Sequence, residues 1–178
     1  KSRGILITTP ASTVLSDVTV RNCLVKGFLN SVRVTREGFK SLTAGAEYDD
    51  TTSDILIENS HLYSSRGSGV FVDGYVGGVT LRGLDIAGAG SVGIYLEAGS
   101  VDNVIEDSWI HSNGYKDRVP AGVPFTLGGT DYRYRSTGRE GIAVDGSRRN
   151  IIRNNTIANN SAGGIFLYKN CGEFVTQR

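Results

Sequence analysis

"GIYLEAGS", residues Gly93–Ser100, is one of several short segments in this 178-residue chain that share a pattern. In each segment a glycine is followed by an apolar residue, a variable residue and a second apolar residue. Clear copies are "GVFVDG" from Gly69, "GIAVDGS" from Gly141 and "GGIFLYKN" from Gly163, and weaker copies are "GILIT" from Gly4 and "SVRVT" from Ser31. The step from Val72 to Leu96 is 24 residues and the step from Val144 to Leu167 is 23. Self-similarity at a fixed short period predicts a solenoid.

A second series of segments repeats in the same register. "DVTVRNCLV" (Asp17–Val25), "DILIENSHL" (Asp54–Leu62) and "GVTLRGLDI" (Gly78–Ile86) align without gaps, and "NVIEDSWI" (Asn103–Ile110) and "NIIRNNTI" (Asn150–Ile157) follow with one residue fewer. The alignment gives one apolar column of Val20, Ile57, Leu81, Ile105 and Ile152, and another of Val25, Leu62, Ile86, Ile110 and Ile157. Between them lies a polar column of Asn22, Asn59, Asp107 and Asn154, with Gly83 in the same position. Because Asn tolerates the left-handed backbone conformation, this column predicts a tight bend.

The two series together predict the fold class. Alternating apolar residues over four to six positions, bounded by glycine and asparagine, favour strands over helices. Coils of this length can stack so that each strand pairs with its copy one coil above, about 4.8 Å away. We therefore expect an all-β parallel β-helix of about five coils, formed as a single domain over residues 1–178, with loop insertions at 36–53 and 111–140. Neither end carries a capping element, so we expect a piece of a longer β-helix, or association through open ends.

The repeat resembles the right-handed parallel β-helix of pectate-lyase-like proteins. "NIIRNNTIANNSAGGIFLYKN" is similar to the asparagine-rich variety found in many secreted or periplasmic bacterial proteins, and this resemblance implies an extracellular or periplasmic location. The superfamily includes lyases, hydrolases, epimerases, phage tailspikes and binding proteins. The resemblance therefore predicts the fold more sharply than the activity.

Charge and hydropathy exclude two classes of partner. The formal net charge is +1, which gives no electrostatic reason to expect nucleic-acid binding. The apolar runs are far shorter than the ~20 residues that a membrane-spanning helix needs.

One outer face of the predicted solenoid is unusual in composition. The variable residue of each first-series segment points outward, and so does the residue two positions later. The first outward column is Leu6, Arg33, Phe71, Tyr95, Ala143 and Phe166, and the second is Thr8, Thr35, Asp73, Glu97, Asp145 and Tyr168. Aromatic rings therefore stack beside carboxylates, whose mutual repulsion needs a cation, a hydrogen bond or a metal to offset it.

This face, with the two insertions beside it, predicts a groove for an extended polysaccharide that contains uronic acids. Rings stack on sugar faces, and Arg or Lys pairs with uronate carboxylates. Elimination or C5 epimerisation, which we favour over hydrolysis, needs a cation to neutralise the substrate carboxylate and a side chain that acts as base. The expected catalytic residues are Asp73, Glu97, Asp145, Arg139 and Tyr132. The expected substrate-binding residues are Phe71, Tyr95, Phe166, Tyr134, Arg135, Lys169 and His111. The cofactor expectation is Ca²⁺, held by Asp73, Glu97 and Asp145.

Other readings of the same residues stay open. Hydrolysis would use two of the three carboxylates, which suits their expected spacing. A non-catalytic carbohydrate-binding or structural β-helix would use the carboxylates only to accept hydrogen bonds in turns and the rings only for packing. The chain also resembles, more distantly, the periplasmic sugar-hydrolase-like β-helix proteins that assist metallocentre maturation. His61 occupies an outward strand position, where we expect it to be solvated.

Overall fold

The computed structural model describes residues 2–10, 13–38, 52–97, 99–115, 124–127, 130–133 and 138–168, with the side chains of 124–127 and 130–133 left aside. The described residues form strands and turns and contain no helix, and thus no helix that could cross a membrane. The strands are β1 (Arg3–Thr9), β2 (Val18–Arg21), β3 (Leu24–Lys26), β4 (Asn30–Arg36), β5 (Ile55–Glu58), β6 (His61–Tyr63), β7 (Val70–Val72), β8 (Val79–Arg82), β9 (Asp85–Ala87), β10 (Ile94–Leu96), β11 (Val104–Glu106), β12 (Trp109–His111), β13 (Pro124–Leu127), β14 (Thr130–Arg133), β15 (Glu140–Asp145), β16 (Ile151–Arg153), β17 (Thr156–Ala158) and β18 (Gly163–Tyr168).

Three parallel sheets form the faces of the solenoid. Sheet I has the order β2-β5-β8-β11-β16, sheet II has the order β3-β6-β9-β12-β17, and sheet III has the order β1-β4-β7-β10-β15-β18. Each coil passes through sheets I, II and III in turn, and the next coil stacks on it. The predicted all-β parallel β-helix of about five coils is therefore confirmed.

The strand register confirms the apolar columns. Ile57 pairs with Leu81 and Leu81 with Ile105 in sheet I, while Leu62 pairs with Ile86 and Ile86 with Ile110 in sheet II. These six side chains are at most 1% exposed and belong to one continuous core. Full burial of each such side chain contributes roughly 1.5–3 kcal/mol, so the core columns are the main source of stability.

The predicted bend between sheets I and II has left-handed backbone in every coil. Asn22, Asn59, Asp107 and Asn154 have φ of 57°, 47°, 51° and 55°, and Gly83 has φ of 59°. Residues with short polar side chains, or with none, tolerate this region best, which explains the composition of the column. The bend from sheet II to sheet III also has left-handed backbone in every coil, at Gly27, Ser64, Gly88, Ser112 and Asn159.

Buried asparagines stack inside the solenoid where sheet II turns toward sheet III. Asn113 Oδ1 accepts a hydrogen bond from the N–H of Ala89 at 2.9 Å, and its Nδ2 donates to Ile86 O at 3.1 Å and to Asn160 Oδ1 at 3.0 Å. Asn160 Nδ2 in turn donates to Ile110 O at 3.1 Å. The ladder satisfies backbone groups that the bend would otherwise leave without partners.

The outer face of sheet I is a ladder of alternating charge. Arg82 Nε donates to Glu106 Oε1 at 2.7 Å, and Arg153 Nε donates to Glu106 Oε2 at 2.8 Å. Glu58 lies on the other side of Arg82, with an O–N distance of 4.0 Å. The hydrogen bond from Arg82, followed by that from Arg153, holds the pKa of Glu106 below its ordinary value. Opposite charges one coil apart thus support the stacking on this face.

The second insertion, predicted from the sequence only as a loop, contains two strands. Within 111–140, β13 and β14 pair antiparallel as a hairpin that is separate from the three stacked sheets. The middle of the first insertion, residues 39–51, lies outside the described part of the chain.

Candidate functional site on sheet III

The outer face of sheet III carries the aromatic column that the sequence predicted. Leu6 pairs with Arg33, Arg33 with Phe71, and Phe71 with Tyr95 in adjacent strands. The Phe71 and Tyr95 rings are stacked, with centroids 5.3 Å apart and planes inclined by 21°. The Arg33 guanidinium carbon lies 5.0 Å from the centroid of Phe71. Arg33 and Tyr95, from the coils on either side, therefore cover the two faces of the Phe71 ring, and the stack presents the edges of its rings along the outer face of sheet III.

Asp73 forms an ion pair on this face. Arg33 Nε lies 3.1 Å from Asp73 Oδ1, and Arg33 Nη2 lies 2.5 Å from Asp73 Oδ2. Asp73 is 2% exposed, and both of its oxygens accept bonds from the same guanidinium. This bidentate geometry is the strong form of a charge-assisted hydrogen bond and satisfies the carboxylate.

The hydroxyl of Tyr95 lies between the other two predicted carboxylates. It lies 2.9 Å from Asp145 Oδ2 and 3.3 Å from Glu97 Oε1. Burial, the hydrogen bond to Asp145 and the negative charge of Glu97 raise the pKa of Tyr95 well above its ordinary value of 10.0. At neutral pH the phenol is therefore protonated and acts as a hydrogen-bond donor to the carboxylate pair. We call Tyr95, Glu97 and Asp145 the tyrosine–carboxylate centre.

Arg139 lies next to this centre, as the sequence predicted. Its guanidinium carbon is 5.9 Å from the centroid of the Tyr95 ring, and its Nη2 lies 3.4 Å from Oε1 of the buried Glu140. Burial and the nearby Glu140 carboxylate raise the pKa of Tyr168, which follows Asp145 in the outward column. A cation and a second phenol thus border the tyrosine–carboxylate centre.

The family comparison agrees with this architecture. A family model described as "Right handed beta helix region" matches residues 3–177. The chain belongs to the right-handed β-helix family. No curated protein and no solved structure matches this β-helix significantly. The narrower likeness to pectate-lyase-like and asparagine-rich bacterial repeats stays a prediction.

The β-helix brings only some of the predicted site residues together. Phe71, Tyr95, Glu97, Asp145 and Arg139 form one patch on sheet III. Asp73 lies on the same face but is held by Arg33, and Phe166 lies on the last coil, 37% exposed, with its ring 6.0 Å from that of Tyr168. Tyr132 lies in β14, where only the backbone is described, and three predicted residues lie outside the described part of the chain: Tyr134, Arg135 and Lys169.

The predicted Ca²⁺ ligands lie on sheet III, whereas the predicted substrate-binding residue His111 lies on sheet II. In the described part of this β-helix, no three His, Cys, Asp or Glu side chains are grouped so that they could hold a metal ion. A role for Ca²⁺ stays a prediction. His111 ends β12 in sheet II, where its Nε2 lies 3.1 Å from Asp85 Oδ1, and so it lies on a different sheet from the tyrosine–carboxylate centre.

Asp85 is the centre of a cluster that we did not identify from the sequence. Besides His111, it accepts a hydrogen bond from the Tyr63 hydroxyl and lies 3.3 Å from His61 Nδ1. His61, which we expected to be only solvated, also lies 2.9 Å from the Tyr63 hydroxyl. The 24-residue spacing of His61, Asp85 and Trp109 in the sequence could have indicated this cluster, because the register places the three residues in one outward column of sheet II.

Proposed function

We propose that the outer face of sheet III binds an extended polysaccharide that contains uronic acids, and that the tyrosine–carboxylate centre transfers protons on it. The observation that carries this proposal is the hydroxyl of Tyr95 between Glu97 and Asp145, at one end of the stacked Phe71–Tyr95 pair. A row of aromatic edges that ends in a proton donor and two carboxylates suits contact with the C–H groups of a sugar ring and acid–base chemistry at that ring.

The arrangement supports elimination or C5 epimerisation, because both begin with removal of the proton on the carbon next to the uronate carboxylate. A free phenolate is disfavoured by the raised pKa of Tyr95. The phenol would take the substrate proton while it passes its own proton to Asp145 Oδ2, 2.9 Å away. Such a relay avoids a build-up of charge on the phenol. In elimination, the electron pair of the C5–H bond would form the C4=C5 double bond while the C4–O bond breaks, and the leaving oxygen would take the proton from Asp145 through the phenol. In epimerisation, water would instead return a proton to the opposite face of C5.

A cation must also stabilise the charge that develops on the substrate carboxylate. Arg139 borders the centre and is 32% exposed, and its partner Glu140 is 3.4 Å away, longer than a normal charge-assisted hydrogen bond. We assign the neutralising role to Arg139. Arg33 is unsuited to it because Asp73 occupies its guanidinium in bidentate geometry.

One observation favours hydrolysis as a second candidate. A single hydroxyl contacts both Glu97 and Asp145, which brings the two carboxylates close enough to act as a pair, as the carboxylates of retaining glycosidases do at ~5–5.5 Å. In that reaction one carboxylate would act as nucleophile and the other as acid. Tyr95 would then orient the pair.

A panel of polyuronates tests the proposal. Absorbance at 232 nm reports the unsaturated product of elimination, NMR reports C5 epimerisation, and new reducing ends without absorbance report hydrolysis. We expect one polymer to react with the wild type. Tyr95→Phe should lose at least about 10²-fold in rate, the scale of one acid–base group, while the ring still binds substrate.

The matched control is Tyr115→Phe, because the exposed Tyr115 donates its hydroxyl to the backbone carbonyl of Asn159 and to no other group among the described residues. It should keep the wild-type rate. If Tyr95→Phe turns over as fast as the wild type, the tyrosine–carboxylate centre is not catalytic. Binding without turnover in every assay would leave a non-catalytic carbohydrate-binding β-helix.

A further inference from the structure

A shallow, open cleft of about 450 Å³ lies on the outer face of sheet II and at its bend toward sheet III. It lies around Asp85, and its wall includes Lys26, Tyr63, Trp109 and His111. None of these residues belongs to the tyrosine–carboxylate centre. Side chains from four successive coils, β3, β6, β9 and β12, thus meet in one place.

Asp85 is fixed and satisfied within this cleft. Burial acts to raise its pKa, but hydrogen bonds from Tyr63, His111 and His61 outweigh burial and hold the pKa below the ordinary value. The hydrogen bond to Asp85, together with burial, raises the pKa of Tyr63 to about 12. The carboxylate therefore makes a rigid wall with little capacity left for a ligand.

Trp109 offers an exposed aromatic platform beside that wall. It is 49% exposed, although most large apolar side chains of this chain point into the core. Its ring stacks on His111, with centroids 3.8 Å apart and planes inclined by 20°. Because Asp85 binds His111, the imidazole is fixed in place and supports one face of the indole. A braced, half-exposed indole loses little entropy when a ring stacks on it.

Lys26 supplies the free charge of the cleft. It is exposed, and it forms no ion pair within the described ranges. Asp85 is the one carboxylate among the described residues that line the cleft, and it already accepts three bonds, so Lys26 favours an anionic ligand. The exposed hydroxyls of Ser64 and Ser112 lie at the rim and suit a ligand rich in hydroxyl groups.

Covalent chemistry at Ser112 has less support. His111 Nδ1 lies 3.2 Å from Ser112 Oγ, so that Asp85, His111 and Ser112 form a chain of contacts similar to a catalytic triad. However, the N–H of Ser112 donates to Ala158 O and the N–H of Asn113 donates to Asn160 Oδ1. Neither is free to stabilise an oxyanion, which acyl transfer needs. The cleft is therefore better suited to binding.

We propose that this cleft is a second carbohydrate subsite, in which a uronate ring stacks on Trp109 and its carboxylate pairs with Lys26. The inference rests on the proposed function only for the class of polymer. The site lies one sheet away from the tyrosine–carboxylate centre, so it would hold a chain on the β-helix without taking part in the reaction.

Trp109 is the only tryptophan in the chain, so its fluorescence reports this cleft directly. The probe is a hexamer of galacturonate, titrated into the wild type and into Tyr95→Phe, with a neutral galactose hexamer as comparison. We expect a saturable fluorescence change in both proteins. Lys26→Gln should weaken it by up to about fivefold, the scale of one exposed ion pair.

The control is Arg149→Gln, which removes an exposed cation paired with Asp102 at the bend before sheet I. It should titrate as the wild type does. An unchanged fluorescence signal, an equal response in Lys26→Gln, or equal affinity for the neutral hexamer would overturn the proposal. Because Tyr95→Phe keeps the subsite intact, failure of the proposed reaction and failure of this subsite give different results.

Discussion

Truncation of Asn113 to alanine tests whether the internal asparagine ladder holds the coils together. Asn113 is fully buried, and its side chain accepts from the N–H of Ala89 and donates to Ile86 O. Alanine can do neither, and both Ile86 and Ala89 are at most 3% exposed, so water cannot easily replace the lost partners. The buried N–H of Ala89 would lose its partner, and Ile86 O would lose one donor.

The expected cost follows from these two groups. A buried donor without a partner costs about 1–3 kcal/mol and a lost hydrogen bond about 0.5–1.5 kcal/mol, so Asn113→Ala should lose about 2–4 kcal/mol of unfolding free energy. That is a large fraction of the roughly 5–15 kcal/mol that stabilises a typical domain. The side chain also donates to Asn160, and loss of this bond places the cost toward the upper end of the range.

Urea denaturation followed by far-UV circular dichroism measures the effect. The matched control is Asn22→Gly, because Asn22 is exposed and has a left-handed φ of 57° that glycine adopts readily. We expect that variant to stay within about 1 kcal/mol of the wild type. If Asn113→Ala loses no more unfolding free energy than Asn22→Gly, the asparagine ladder does not supply the hydrogen bonds that the backbone groups of this bend need.

Three further predictions concern the core and the charged faces. Leu96→Asp should abolish cooperative unfolding, because it places a carboxylate in a fully buried column; a cooperative melt would show that the inward face is wrongly assigned. Asp73→Asn should lower stability by about 1–3 kcal/mol, because Arg33 loses a charged partner, and a melting temperature equal to that of the wild type would contradict this. Arg82 and a second arginine depress the pKa of Glu106, so its contribution to stability is present above its ordinary pKa of 4.5 and is lost as pH falls through the lower folded value. Denaturation midpoints at a series of pH values should show a smaller loss on acidification in Glu106→Gln, and equal losses would refute the assignment.

The stacking could be predicted from the sequence because equivalent residues of successive repeats lie directly above one another, one coil apart. Once Val72 and Leu96 occupy equivalent positions, the residues before them, Phe71 and Tyr95, must lie one above the other, and the register confirms that they do. The left-handed bend at Asn59 could be predicted for the same reason, since the preference is local.

The features that could not be predicted from the sequence depend on side-chain and strand pairings that the repeat does not specify. The pairing of Arg33 with Asp73 joins residues 40 apart, across an insertion of irregular length. The Asp85 cluster was missed because the outward column of sheet II combines unlike side chains, and no chemical ladder marks it. Strands β13 and β14 pair with each other and not with a neighbouring coil, so the spacing of the repeats does not indicate the hairpin.

The most direct test of the central claim is a crystal structure of the Tyr95→Phe variant with a bound oligouronate. The account predicts a sugar ring against the outer edges of the Phe71 and Tyr95 rings on sheet III, with its carboxylate toward Arg139 and its reacting carbon beside the position that the Tyr95 hydroxyl occupies. A ligand seated elsewhere while the face around Phe71, Glu97 and Asp145 stays empty at saturating concentration would contradict it.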